Sequence, residues 1–329
     1  MINNIEICNF TVFDQLKIDL VPGINLFIGD NGTGKTHLLK LIYLQGVIDE
    51  HDDPGAGISE IFLPHNRSLQ RLIRKREAGA SLSVGKNGET FSIHITEKTP
   101  RGTVRISGIP RNDSKPVYIP AKEMLANAPG FRSLHATREI HFERVCSDII
   151  DRAFLPRLKK TDPRQKKLMD MLEKGMGGEI TAKNEEFYLK SRTGDIEFTL
   201  VAEGIRKLAL LRLLIENGSL DGKSLLCWDE PETNLNPSMI PLVVSVMTEL
   251  EQMGAQIFIA THSYVLLKEF ELQRGNHSLR FYSLSKNDKD SVSLSSSGTY
   301  PALFPNRIAD QFARMYNLEI GRALGGNNE

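Results

Sequence analysis

The octapeptide Gly29-Asp30-Asn31-Gly32-Thr33-Gly34-Lys35-Thr36 fits the pattern G-x-x-x-x-G-K-[ST] at every specified position. Its glycines let the backbone curl so that successive N–H groups point at phosphate oxygens. Lys35 adds a positive charge at the β and γ phosphates, and Thr36 offers a hydroxyl to Mg²⁺. The residues from Asn31 through Gly34, with Lys35, Thr36 and the following His37, are therefore the expected cradle for a nucleoside triphosphate. A second group stands nearly two hundred positions downstream. Leu225-Leu226-Cys227-Trp228 is an apolar run ending in Asp229-Glu230. Beside a phosphate-binding loop, Asp229 would hold the metal directly or through water, and Glu230 would act as general base or orient the attacking water. A third run, Ile257-Phe258-Ile259-Ala260, ends in Thr261-His262-Ser263. An isolated histidine is usually structural, but at the carboxyl end of a strand next to the acid-bearing one His262 can donate to a γ-phosphate.

Elements must deliver these groups to one place. Ile24, Leu26, Phe27 and Ile28 form a short apolar strand before the loop, and Leu38, Leu39, Leu41, Ile42 and Leu44 recur with helical spacing after it. A strand thus enters the loop and a helix leaves it, with the positive end of the helix dipole aimed at the phosphates. Ile5-Glu6-Ile7 and Leu16-Lys17-Ile18-Asp19-Leu20 alternate as strands. From about 80 to 120 the period is two again, in Ser81–Val84, Phe91–Ile95 and Val104–Ile106, which predicts an antiparallel side sheet. Between about 122 and 174 the spacing turns helical without a sustained heptad, which predicts a compact lobe rather than a coiled-coil arm. Strand-like segments return at 186–201. Helices and strands then alternate to about 272, the pattern of a parallel sheet with crossover helices. A hairpin near 280–296 and a helix near 306–319 close the chain.

Composition sets the frame. The 329 residues, 40% hydrophobic and 25% charged, suffice for one large domain or two lobes. Lys plus Arg and Asp plus Glu both total 41, so no global field draws the chain to nucleic acid or to an anionic membrane. Cys8, Cys146 and Cys227 lack metal-ligand spacing and suit a reducing cytoplasm. No basic-then-apolar leader and no bilayer-length apolar stretch stand out, so a soluble intracellular protein without a membrane partner is expected.

Taken together, the stretch from Ile7-Cys8-Asn9-Phe10 through Pro22-Gly23 to Gly32, then Asp229-Glu230-Pro231-Glu232-Thr233-Asn234-Leu235-Asn236-Pro237, and Ala260-Thr261-His262-Ser263 resemble the entry strands and Walker A, Walker B with D-loop, and switch histidine of ABC-type ATPase heads of the SMC, RecF and OLD-like group. The likeness spans most of residues 1–265. It implies an α/β, P-loop NTPase fold with a mostly parallel core sheet, an antiparallel side sheet and a compact helical lobe. The expected segments of this composite domain are 1–121, 122–200 and 201–329. It also implies ATP and Mg²⁺ as ligands, hydrolysis by Glu230 with Lys35 and His262, and a homodimer whose two heads sandwich ATP. In that arrangement Ala202, Glu203 and Gly204, before a helix with apolar Ile205, Leu208, Leu211 and Leu214, would face the partner's nucleotide. The group's setting suggests DNA maintenance or anti-phage defence, with a separate nuclease or toxin subunit. An ATP-gated scaffold with little turnover is the alternative, and a transporter subunit a weaker one.

Two departures accompany the likeness. Ala202 stands where the group often carries serine, and the link Tyr118-Ile119-Pro120-Ala121-Lys122-Glu123 lacks the magnesium-sensing glutamine of transporter heads; Lys122 or Glu123 would have to substitute, or the link is an ordinary turn. Arg157, Lys159, Lys160, Arg164, Lys166 and Lys167 form a basic run that could meet a nucleic-acid backbone but more often marks a solvated helix end. Arg71, Arg74, Lys75 and Arg76 carry the same two readings. The triplet Asp288-Lys289-Asp290 resembles nuclease acids, yet its flanks read as a hairpin, so no nuclease is expected.

Overall fold

Alternating burial marks the first strands. In β1 (Ile2–Phe10) and β2 (Phe13–Asp19), Ile2, Ile5, Ile7, Phe10, Phe13, Leu16 and Ile18 point inward and the residues between them outward. They join β4 (Gly79–Lys86), β5 (Glu89–Thr96) and β6 (Thr103–Ser107) in one antiparallel sheet ordered β2-β1-β4-β5-β6. The computed structural model describes residues 1–48, 53–97, 102–108, 116–137, 140–287 and 291–324.

The core sheet has a different sequence logic. In β3 (Ile24–Gly29), β11 (Leu225–Asp229) and β12 (Gln256–Ala260), burial is nearly continuous, as in parallel strands covered on both faces. With β7 (Val117–Ile119), β13 (Leu279–Lys286) and β14 (Val292–Ser297), the order is β14-β13-β3-β12-β11-β7. Every neighbouring pair is parallel except β13 with β14. The histidine-bearing strand therefore lies between the loop strand and the acid-bearing strand, and all three chemical segments emerge at one sheet edge.

Helices α1 (Lys35–Leu44), α7 (Ile240–Met253) and α8 (Tyr264–Leu272) follow strands of this sheet. The region 122–200 carries α3 (Phe131–Thr137), α4 (Arg144–Ala153) and α5 (Pro163–Met176), followed by a small sheet of β8 (Glu179–Lys183), β9 (Glu186–Ser191) and β10 (Gly194–Glu197). The strand pattern does not run to 201: Phe198–Leu200 is a single 3-10 turn. α6 (Glu203–Glu216) packs along α5 and is buried on nearly every side from Lys207 onward, so its polar residues need internal partners. Arg212 meets Glu173 at 2.7 Å and Glu216 at 2.8 Å.

Two further helices complete the fold. α2 (Pro54–Phe62) is capped by Asp53, and α9 (Arg307–Ala323) ends the described chain. The hairpin expected near 280–296 is β13 and β14, but β13 also extends the core sheet beside β3. Asp288-Lys289-Asp290 lies outside the described residues. Among the described residues no helix is long and apolar enough to cross a membrane.

Candidate nucleotide-binding site

β3 delivers the chain into the loop, and α1 begins at Lys35. Gly34 precedes it with φ 90°, and an added Cβ would stand 2.5 Å from the Phe13 ring and 2.7 Å from Val12. Only glycine meets both the left-handed backbone and the close approach of the β1–β2 turn. Thr33 is buried, its hydroxyl donating to Asp30 O at 2.8 Å, so it braces the loop from inside. Lys35 folds back, its ammonium donating to the carbonyls of Gly29 at 2.8 Å and Asp30 at 3.0 Å. Burial pushes Lys35 down to about 8, against the pull of Asp229 and Glu230.

The distant acids arrive where the sequence requires them. Thr36 Oγ1 donates to Asp229 Oδ2 at 2.9 Å across 193 residues, and the buried Tyr118 hydroxyl reaches the same oxygen at 3.4 Å. Burial raises the Asp229 carboxyl, and the Thr36 hydrogen bond works the other way. Glu230 sits one residue beyond the strand at φ 47°, a left-handed conformation that costs a non-glycine residue on the order of 1–3 kcal/mol. Its N–H donates to Ala260 O at 2.9 Å, and one carboxylate oxygen accepts from Thr233 Oγ1 at 3.1 Å. The other oxygen lies 4.0 Å from His262 Nε2. Burial and the nearby Lys35 hold the imidazole below its ordinary range, which favours its neutral form.

An open pocket of about 310 Å³ is lined by Val12, Asn31, Gly32, Gly34, Lys35, Thr36, His37, Glu230 and His262. The structure thus collects nearly all of the expected loop, base and histidine residues. His37 reaches this pocket with its ring already engaged: Nδ1 lies 3.0 Å from Thr11 Oγ1, the ring stands edge-on to Phe62, and burial drives it down to about 4. Among the described residues no group of three His, Cys, Asp or Glu side chains could hold a metal. Thr36 and Asp229 offer oxygen donors of the kind that would suit Mg²⁺, with phosphate and water supplying its remaining ligands.

Ala202, Glu203 and Gly204 form the N-terminal end of α6 and do not line this pocket. Gly204 has a reason within the chain for being glycine: an added Cβ would lie 2.8 Å from Asn234 O and 3.2 Å from Leu235 Cα. Glu123, one candidate for magnesium sensing at the link, is already engaged within the chain. Its buried carboxylate accepts from Arg206 Nε at 2.6 Å and from the Leu125 N–H, and Lys122 lies over the Phe142 ring.

Three side chains of the site escaped sequence reasoning. Lys207, buried, donates to the carbonyls of Thr233 at 2.7 Å and Glu230 at 3.3 Å. Glu232 accepts from Thr261 Oγ1 at 2.7 Å and His262 N at 3.0 Å. Arg307, opening α9, pairs with loop residue Asp30 at 2.7 Å. Glu232 had a signal, a third acid within Asp229–Glu232. Lys207 and Arg307 had none that set them apart from neighbouring basic residues. The basic run is reduced by pairing: Arg157 meets Glu216 at 3.2 Å and Lys167 meets Glu249 at 2.6 Å, while Lys159, Lys160, Arg164 and Lys166 are exposed. In the second basic cluster, Arg74 donates to Val12 O at 2.8 Å.

Partial likenesses to known proteins overlap these segments. A family described as "AAA domain, putative AbiEii toxin, Type IV TA system" matches residues 118–268, and one described as "AAA ATPase domain" matches 1–51. The DNA replication and repair protein RecF of Lachnoclostridium phytofermentans is 24% identical over 120 residues, 36% of this chain and 30% of that protein. RecF of Clostridium novyi is 44% identical over 50 residues, 15% of this chain and 14% of the relative. The matched stretches thus span less than a third of these relatives' length. An SMC head solved with the C-winged helix domain of ScpA superposes with TM-score 0.60 at 13% identity, covering 92% of this chain and 98% of that one. The SMC head domain from Thermotoga maritima gives 0.53 at 12% identity, covering 91% and 99%. The chain thus has the fold of SMC heads, and over parts of its length it is similar to AAA-domain and RecF proteins.

Proposed function

We propose that the chain binds Mg-ATP between loop 29–36 and Asp229 and hydrolyses it with Glu230 as the base. The carrying observation is the Thr36–Asp229 hydrogen bond, which sets two oxygen ligands for Mg²⁺ side by side. The metal would neutralise charge on the β and γ phosphates. Lys35 would leave its loop carbonyls for the phosphates, His262 would donate to the γ-phosphate, and Glu230 would take a proton from the attacking water. The three segments 1–121, 122–200 and 201–329 then act as one composite domain, since the core sheet draws strands from the first and last.

In this reading two copies close over ATP, with Ala202, Glu203 and Gly204 of each facing the other's nucleotide, and closure gates a separate partner. DNA maintenance fits the relatives' name, DNA replication and repair protein RecF, and a separate nuclease or toxin subunit and an anti-phage setting are part of the proposal. A cytoplasmic setting fits the three free cysteines, and Lys159, Lys160, Arg164 and Lys166 are the side chains that would meet a nucleic-acid backbone. A low-turnover, ATP-gated scaffold is the second reading, favoured by Ala202, which brings no hydroxyl to the α6 N-terminus.

ATP hydrolysis and light scattering of the native chain, Lys35→Ala and Glu230→Gln decide between them. Hydrolysis lost in Glu230→Gln together with an ATP-trapped dimer supports the enzyme. A dimer formed by ATP with native turnover near zero supports the scaffold, and no nucleotide binding by the folded native chain defeats both.

A further inference from the structure

The turn that carries Glu230 is gripped from two sides. On one side Glu232 holds the segment after β12 through Thr261 Oγ1 and the His262 N–H. On the other, α6 touches the turn twice. Lys207 Nζ donates to Thr233 O at 2.7 Å and Glu230 O at 3.3 Å, and one helical turn earlier Gly204 lies against Asn234 and Leu235 with no room for a Cβ. The Thr233 N–H also reaches Glu230 O at 3.1 Å. Lys207 is 2% exposed, and its burial costs the charged form unless carbonyls of this kind receive it. Those two carbonyls begin and end the turn, so the ammonium fixes its curvature while Glu230 remains left-handed at φ 47°.

We propose that Lys207 is the positioning residue for Glu230: its ammonium ties α6 to both ends of the 230–233 turn, so that a movement of α6 becomes a movement of the carboxylate. Lys207 does not line the pocket formed by the loop, Glu230 and His262. It acts through the backbone that aims Glu230, and a placement error of about 1 Å at a reacting group lowers turnover on the order of 100-fold. The inference rests on Glu230 being the base, and it adds a regulated part: whatever docks on the N-terminal end of α6 adjusts the catalytic carboxylate through Lys207.

The test is steady-state ATP hydrolysis and ATP binding by the full chain in the native form, Lys207→Met and Lys207→Arg. Lys207→Met keeps the length of the side chain and removes the ammonium. The expected result is a kcat lower by about 10- to 100-fold with KM and ATP affinity within about twofold, and a recovery of at least about fivefold in Lys207→Arg, which keeps the charge. Should Lys207→Met not fold by circular dichroism, Lys207→Gln, which retains a donor, takes its place with the same expectation. A kcat within twofold of native overturns the inference, as does a parallel loss of ATP affinity, which would mark Lys207 as a general support of the fold. Native turnover that is unchanged in Glu230→Gln removes the base itself, and with it this role for Lys207, whatever the lysine variants do.

Discussion

Lys35 donates to the carbonyl of Gly29, the residue that opens its own loop, at 2.8 Å. The ammonium therefore already sits inside the cradle, in surroundings dry enough to bring it down to about 8. Phosphate attracts only the charged form. ATP affinity should be level between pH 7 and 8 and fall as pH rises beyond about 8, by at most about tenfold per pH unit. Lys35→Arg, which does not titrate there, should show a flat profile even if its affinity is lower. The sign for the ligand-free fold is opposite. Between about 8 and 10.5 the unfolded chain binds more protons at this site than the folded one, so this lysine's contribution to stability rises with pH. Fluorescence titration with ATP from pH 7 to 10 checks the first statement, and thermal melting over the same range checks the second.

Glu230 sets stability against chemistry. Its left-handed φ of 47° suits glycine, and returning an L residue to glycine there relieves on the order of 1 kcal/mol. Glu230→Gly should match or exceed the native melting temperature while ATP turnover falls by at least about 100-fold. Glu230→Gln should lose turnover similarly without any rise in melting temperature. A marked loss of stability in Glu230→Gly would show that the Thr233 hydrogen bond outweighs the backbone strain.

Much of this site was legible because the signals were local. The loop, the acid pair and the histidine each end a short apolar run, and such runs alternating with helices are the pattern of buried parallel strands whose carboxyl ends share the ligand edge. Legibility stopped where a residue's role depends on a partner far away in sequence. Lys207 reads like Arg206 in the chain, yet α6 turns one toward the Glu230 turn and the other toward Glu123. The side sheet was visible from its period of two, but its fusion with β1 and β2 was not, because strand alternation says which face is buried and not which strand is the neighbour. The merging of β13 into the core sheet escaped for the same reason.

Glu123 offers a separation of fold from metal sensing. Its buried carboxylate neutralises Arg206, which also reaches the carbonyls of Phe198 and Val201. Glu123→Ala strands that guanidinium, and breaking a buried pair costs about 3–5 kcal/mol. Urea denaturation should show a lower midpoint, while the Mg²⁺ concentration for half-maximal ATP hydrolysis stays within about twofold. A shift in Mg²⁺ demand with unchanged stability would assign Glu123 the sensor role instead.

Gly204 distinguishes packing within the chain from contact across a dimer. In a solvent-exposed helix, Gly→Ala stabilises by about 1 kcal/mol. Here the new methyl would press on backbone, 2.8 Å from Asn234 O and 3.2 Å from Leu235 Cα, and backbone cannot rotate aside as a side chain can. Overpacking of this kind costs about 1–3 kcal/mol. Gly204→Ala should therefore melt below the native chain as a ligand-free monomer, before any second copy is present. It should also lower turnover, since Asn234 continues the turn that carries Glu230. Measured by scanning calorimetry at low protein concentration, a melting temperature equal to or above native would mean that the 234–235 segment yields freely, and Gly204 would then owe its identity to something outside its own chain.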